Sequence, residues 1–284
     1  MTYELLDSGD GRKLERAGGF TFDRQAAQAH WRPRLDRATW ARADAIHHRS
    51  ETGGGRWEMR APVPERFEVT YAGLRLMLKP TPFGHLGLFA EQGAEWSWLR
   101  DAVGGAVDAG RKVEVLNLFA YTGGSTLACA QAGATVCHVD ASKGVVDWAR
   151  ENAALNGLAE RPIRWIVDDC AEFLRREARR GRRYDALILD PPSFGRGARS
   201  EVWKIESGIG ELLDLCRAVL ADDAIMVHFS CHTPGFTASV LDNLLGERID
   251  RAAMITESGE LLVRETGTGG RPLPSGAAAR WRRT

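Results

Sequence analysis

The chain has 284 residues, 44% of them hydrophobic, enough for one large domain and a small one. Lys plus Arg and Asp plus Glu both number 38, so there is no global basic field, and any nucleic-acid binding must rest on a local patch. MTYELLDSGDGRKLER at the start has no signal-like apolar stretch, the apolar runs near 113 and 186 are only strand-sized, and Cys129, Cys137, Cys170, Cys216 and Cys231 show no zinc-ligand spacing; a cytoplasmic protein with reduced thiols, no membrane span and no metal is expected.

In chain order, Tyr3–Ser8 and Lys13–Phe22 read as strands around the turn pair Asp10-Gly11. Asp36–Arg49 reads as a short helix ended by Gly53-Gly54-Gly55, and Arg66–Thr70 and Leu74–Lys79 flank Ala72-Gly73 as a second hairpin. Residues 1–80 thus form a small α+β module, a candidate for substrate recognition, and Pro80, Pro82 and Gly84 mark its end. Residues 81–284 form the main domain. Glu91–Ala109 has Trp96, Leu99 and Val103 at helical spacing. Strands at Val113–Phe119, Thr135–Val139, Ile163–Val167, Tyr184–Leu189 and Ile225–Phe229 then alternate with helices at Ser125–Ala132, Lys143–Asn156, Ala171–Arg180, Gly210–Leu220 and Thr237–Leu245. The tail holds candidate strands at Ala253–Thr256, Leu261–Thr266 and Ala278–Arg282. The fold class is therefore α/β, a doubly wound and mostly parallel sheet, with antiparallel strands admitted at its end.

Two segments carry chemistry. VEVLNLFAYTGGST, residues 113–126, runs from an apolar strand through Asn117, Phe119, Ala120, Tyr121 and Thr122 into Gly123-Gly124 and a helix start, with Ser125 or Thr126 available as cap. The dinucleotide and P-loop glycine fingerprints are missing, so this helix start suits a carboxylate better than a pyrophosphate. Asp140 closes the next strand, where a carboxylate can accept from both ribose hydroxyls, or simply cap the following helix beside Ala141 and Ser142. Asp168-Asp169 close the third, with an adenine amine or a helix cap as alternatives. ALILDPPSF, residues 186–194, ends in a proline-stiffened turn that offers the Asp190 carboxylate and the Phe194 ring to a flat, nitrogen-bearing substrate.

LNLFAYTGGST, HVDAS, VDDCAEFL and LDPPSF together resemble class I S-adenosylmethionine-dependent methyltransferases, and more narrowly the branch containing bacterial large-subunit ribosomal RNA (cytosine-C5) methyltransferases. The resemblance spans roughly residues 67–284. It implies a Rossmann-like seven-stranded sheet with a reversed last hairpin. It also implies S-adenosyl-L-methionine held by Asp140 at the ribose, Asp169 at the adenine amine and the 117–124 loop at the methionine part. Phe89 and Gln92, in HLGLFAEQ, are implied as further cofactor contacts.

Cys231, in HFSCHTPGF, follows a strand whose end faces Asp190. In the resembling enzymes a Ser-Cys at this place supplies a thiolate that adds to C6 of cytosine and activates C5; a packed core thiol is the alternative. The expected activity is methylation of ribosomal RNA at cytosine C5, with Cys231, Asp190 and Phe194 as catalytic residues. Methylation of a nucleobase amino group, a small-molecule methyltransferase and a non-catalytic RNA-binding module are the rivals. RNA contacts are expected from Arg196 and Arg199, and from Arg32, Arg34, Arg37, Arg42 and Arg49 with Trp31 and Trp40, unless these pack their own module. The run Arg175, Arg176, Arg179, Arg180, Arg182 and Arg183 reads as a solvated helix end.

Overall fold

Alternating burial along Tyr3–Gly9 (β1) turns back through Asp10 and Gly11, both with positive φ, into Arg12–Ala17 (β2); this is the two-residue hairpin that only left-handed central residues allow. A computed structural model describes this and the rest of residues 2–50, 53–196, 202–249 and 253–283, without the side chains of 196 and 202. The expected Lys13–Phe22 strand is broken by left-handed Gly18 and Gly19, and its second part is Phe20–Gln25 (β3). The expected Asp36–Arg49 helix is limited to Arg37–Trp40 (α1), capped by Asp36 accepting from the Thr39 N–H at 2.7 Å. Ala45–Arg49 (β4) is a strand instead. Ala45 and His47 are buried while Ile46 and His48 are only half-buried, a period of two that a helix cannot satisfy. It pairs in parallel with β3 and antiparallel with Gly55–Met59 (β5). Phe67–Tyr71 (β6) and Leu74–Leu78 (β7) form the second hairpin about left-handed Ala72 and Gly73.

The chain divides into two compact units. The first runs to Gly93 and takes in Leu262–Ser275; the second is Ala94–Leu261 with the chain from Gly276 onward. The sequence boundary at 80 thus falls earlier than the observed one and misses the returning segment.

In the first unit β1 to β5 make a five-stranded sheet in sequential order. Its interior is tied by charge. Glu15, fully buried, accepts from the Tyr3 hydroxyl at 2.5 Å and from Arg24 at 2.6 and 2.9 Å, and these contacts hold its pKa at about 2 against the upward push of burial. Arg271 spans buried Asp7 and Glu265, each at 3.0 Å. Trp31 and Trp40 donate to the Ser8 carbonyl and to Asp7, so the module's tryptophans pack the module itself.

The second unit opens with Gly93–Asp108 (α2), preceded by a 3-10 turn. Then come Glu114–Leu118 (β8), Gly124–Gln131 (α3), Thr135–Asp140 (β9), Lys143–Leu155 (α4), Ile163–Val167 (β10), Cys170–Arg179 (α5) and Ala186–Leu189 (β11). A short ribbon, Phe194–Arg196 (β12) and Val202–Lys204 (β13), leads to Ile205–Val219 (α6), Met226–Cys231 (β14) and Ala238–Gly246 (α7). Helix α6 starts well before the expected Gly210, because Ile205 and Ile209 extend its buried stripe. The two candidate tail strands fuse into Met254–Arg264 (β15), followed by Pro272–Arg283 (β16). The seven-stranded sheet runs β10-β9-β8-β11-β14-β16-β15. Its first five strands are parallel, and β16 is antiparallel to β14. Among the described residues no helix is long and apolar enough to cross a membrane.

Arg271→Ala strands two buried carboxylates. It should cost about 3–5 kcal/mol of stability, as for breaking a buried ion pair, and thermal denaturation against wild type measures the loss.

Candidate active site at the strand ends

Beyond Leu118 the chain enters a strained loop. Phe119 and Tyr121 have φ of 56° and 49°, a left-handed conformation that costs non-glycine residues about 1–3 kcal/mol each. Four hydrogen bonds hold it. The Ala120 N–H donates to the Val139 carbonyl at 3.1 Å, and the Tyr121 N–H to Asp140 Oδ2 at 3.0 Å. The Gly123 N–H donates to the Ala120 carbonyl at 3.0 Å, and Asn152 Nδ2 to the Thr122 carbonyl at 2.9 Å. Asp140 takes a second backbone donor, the Ser142 N–H at 2.9 Å, while Ala141 and Ser142 stay exposed. Burial raises the Asp140 pKa, and the Ser142 and Tyr121 N–H groups oppose it.

Gly123, left-handed at φ 94°, begins α3 with no side-chain cap. The expected caps do otherwise. Thr126 is buried, with its hydroxyl between Asn117 Nδ2 and His138 Nδ1, both at 2.9 Å. Asn117, 2% exposed, therefore spends its side-chain amide beneath the loop. A Cβ on Gly124 would lie 2.2 Å from the Trp96 ring, so this position admits only glycine. Burial pushes His138 down to about 3.

Asp169 is the N-cap of α5, accepting from the Glu172 N–H at 3.0 Å through Oδ1; Asp168 pairs with Arg176. Of the arginine run, Arg175 pairs with Glu172 and Glu211, Arg180 with Glu177 and Arg182 with Glu114.

Asp190 leaves β11 half-buried, with Oδ2 3.4 Å from His232 Nε2. Burial pushes its carboxyl up, but the His232 charge and hydrogen bonds from His232 and Ser230 bring it below the usual value. The turn is anchored where Ser193 Oγ meets Thr233 Oγ1 at 2.7 Å and where the Ile205 N–H donates to the Ser193 carbonyl at 3.1 Å. Phe194, 73% exposed, then opens the β12–β13 ribbon. Across the ribbon, Trp203 stacks on Phe119 with ring centroids 6.2 Å apart and planes at 28°. Cys231 is different. It is 1% exposed within the hydrophobic core, its Sγ accepts from the Thr233 N–H at 3.4 Å, and burial raises its pKa.

Phe89 and Gln92 belong to the first unit, where Phe89 packs edge-on against His85 at 5.3 Å and Gln92 is buried. Arg199 and the Arg196 side chain lie outside the described residues. Sequence reasoning missed Trp203, Asn152 and the pairing of His232 with Asp190. Phe194–Arg196 and Val202–Lys204 are too short to show a periodicity, and only Trp203 beside the proline turn marked the ribbon.

Residues 27–229 match the S-adenosylmethionine-dependent methyltransferase family. The chain belongs to that family. It is 31% identical over 212 residues to the ribosomal RNA large subunit methyltransferase K/L of Chromohalobacter salexigens, an overlap covering 73% of this chain and 27% of that protein. It is 30% identical over 200 residues to the ribosomal RNA large subunit methyltransferase K of Neisseria meningitidis, covering 70% and 53%. The chain thus spans about a quarter to a half of the length of these relatives. The SAM-dependent methyltransferase of Agrobacterium tumefaciens shares the fold with a TM-score of 0.92 at 39% identity, covering 99% of this chain and 90% of that one. The cofactor is therefore S-adenosylmethionine, and the strand ends fit it: an uncapped helix start suits its carboxylate, and a desolvated carboxylate at Asp140 suits a diol.

Asp140→Ala removes both that acceptor and the anchor of the Tyr121 N–H. Calorimetry should find S-adenosylhomocysteine bound more weakly by roughly 1.5–3 kcal/mol. His138 titrates at about 3 in the folded chain and near its ordinary value when unfolded, so between these the unfolded state holds the extra proton and stability falls as pH falls. Urea unfolding at pH 7 and pH 5 should show wild type losing about 2 kcal/mol more over that interval than His138→Gln.

Proposed function

We propose that this enzyme methylates a nitrogen of an RNA nucleobase, an exocyclic amine or a ring nitrogen, with large-subunit ribosomal RNA as the substrate class. One observation carries the reading: Phe194, an aromatic residue 73% exposed, follows directly on the proline turn that holds the Asp190 carboxylate. An exposed ring stacks on any base and contributes about 1–3 kcal/mol, and a carboxylate beside it accepts from a base N–H. The relatives' names, both large-subunit ribosomal RNA methyltransferases, supply the substrate class.

When bound, the cofactor supplies a methyl group activated on a sulfonium sulfur. The chain's own residues then divide the work. The α3 start and the 119–123 loop bind the amino-acid end, Asp140 the ribose, and the second oxygen of Asp169 the adenine amine. Phe194 stacks the target base and Asp190 takes its N–H. The chemistry at cytosine C5 needs Cys231 as a thiolate. A thiol packed in the core with a raised pKa is poorly placed to add to C6, which favours nitrogen as the acceptor.

Nucleoside mass spectrometry of large-subunit ribosomal RNA from a deletion strain and its parent tests the assignment; the deletion should lose an N-methylated nucleoside. Cys231→Ala should keep most of its turnover and give no covalent adduct with 5-fluorocytosine RNA. Loss of 5-methylcytidine in the deletion, with an inactive Cys231→Ala, would reinstate the C5 reaction. Turnover that does not weaken with added salt would point to a small molecule rather than RNA.

A further inference from the structure

We propose that His232 is a positioning residue for Asp190, holding the carboxylate in the orientation that receives the acceptor's N–H. The inference rests on the nucleobase-nitrogen reading above. Strands β11 and β14 are parallel neighbours with Leu189 opposite Phe229, so the chain leaves β11 at Asp190 beside Ser230. Alternation along a strand then turns Ser230 and His232 to one face and Cys231 to the other. His232 Nε2 lies 3.4 Å from Asp190 Oδ2, so the imidazole adjacent to Cys231 in sequence serves Asp190 instead.

The ring is confined from its other side. On β16, Ala277 pairs with Cys231, and a Cβ on Gly276 would sit 2.9 Å from His232 Nδ1 and 2.8 Å from the Cys231 carbonyl oxygen. Only glycine there leaves the imidazole room against Asp190. The other titratable groups near Asp190 are Cys231 and, deeper in β14, His228, which pairs with Glu95 at 3.0 Å, itself bridged to Arg280 at 3.2 Å. Among the described residues His232 is thus the imidazole within direct reach of the carboxylate, a cation when protonated.

The chemistry needs such a carboxylate. The acceptor nitrogen's lone pair forms the new bond to the methyl carbon. The carbon–sulfur bond breaks and its electron pair stays on sulfur. The electrons of the N–H bond return to nitrogen, and the proton passes to Asp190 and then to water. An anion free to rotate would serve the last step poorly, and His232 with Ser230 fixes it.

Steady-state methylation of large-subunit ribosomal RNA purified from the deletion strain, measured from about pH 3 to 9 so that the range takes in the titration of a carboxylate, tests this. His232→Ala should lower kcat at pH 8 by about tenfold or more, as for loss of a hydrogen bond to a charged group. It should move the acidic limb of kcat/KM up by about one pH unit, because Asp190 then loses the charge that holds it ionised, and leave S-adenosylhomocysteine affinity unchanged. His232→Gln, which keeps a side-chain N–H donor, should recover part of kcat at pH 8 while the limb stays shifted. Gly276→Ala, which displaces the ring without removing it, should shift the limb in the same direction. An active wild type with His232→Ala unchanged in both kcat and limb overturns the inference alone, as does an equal loss of cofactor affinity and kcat. A wild type that transfers no methyl group to this RNA overturns the RNA reading and the inference with it.

Discussion

The loop from Phe119 to Gly123 is held in a shape that its own residues disfavour. Left-handed Phe119 and Tyr121 together cost a few kcal/mol, and no glycine relieves either of them. The Asp140 carboxylate repays part of this by gripping the Tyr121 N–H from one side and the Ser142 N–H from the other. One side chain therefore sets two loops at once, the first after β8 and the second after β9. Asn152 from α4 and the buried Asn117–Thr126–His138 chain hold the same turn from below. A carboxylate already bonded to two backbone donors is rigid before any ligand arrives, and preorganisation of that kind is what binding and catalysis draw on.

Sheet topology decides where this rigid turn can matter. The strand order moves outward from β8 through β9 to β10, then returns to β11 on the other side of β8. The reversal separates the loops that follow β8 and β11, and such a switch point is where an open parallel sheet forms its ligand crevice. The loop after β8 carries the strained turn, and the one after β11 carries Asp190. The ring of Trp203 stacked on Phe119 then links the ribbon beyond Asp190 to the loop beyond β8.

Much of the second unit could be read from the amino-acid order, because each strand of the parallel sheet is an apolar run between turn residues and Ile163–Val167 stands where the run predicts it. Asp140, Asp169 and Asp190 stand where the amino-acid order puts them, at or just past the ends of β9, β10 and β11. Asp169 shows the limit of that reading, since it caps α5 as well. What could not be read depends on contacts across distance. Nothing local distinguishes Thr126, which bonds inward, from a helix cap. Nothing local turns His232 toward Asp190 and away from Cys231. The AIHHR segment fits helix and strand alike until β3 and β5 are known to flank it.

The division of the chain has a consequence for how the protein is made. The polypeptide enters the second unit after Gly93, returns to the first at Leu262 and leaves it again after Ser275. Glu265 and Arg271, which satisfy Asp7 and Ser8, are therefore synthesised long after the strand they serve. On a ribosome the first unit must wait, with Asp7 left without Arg271 until the returning segment has emerged. The five parallel strands of the second unit are complete by Cys231, but β16, which pairs with β14, follows Arg271 in the chain. A nascent chain stalled before residue 262 would lack Glu265 and Arg271 from the first unit and β16, the partner of β14, from the second, so both units would be open to proteases until the returning segment and β16 have emerged.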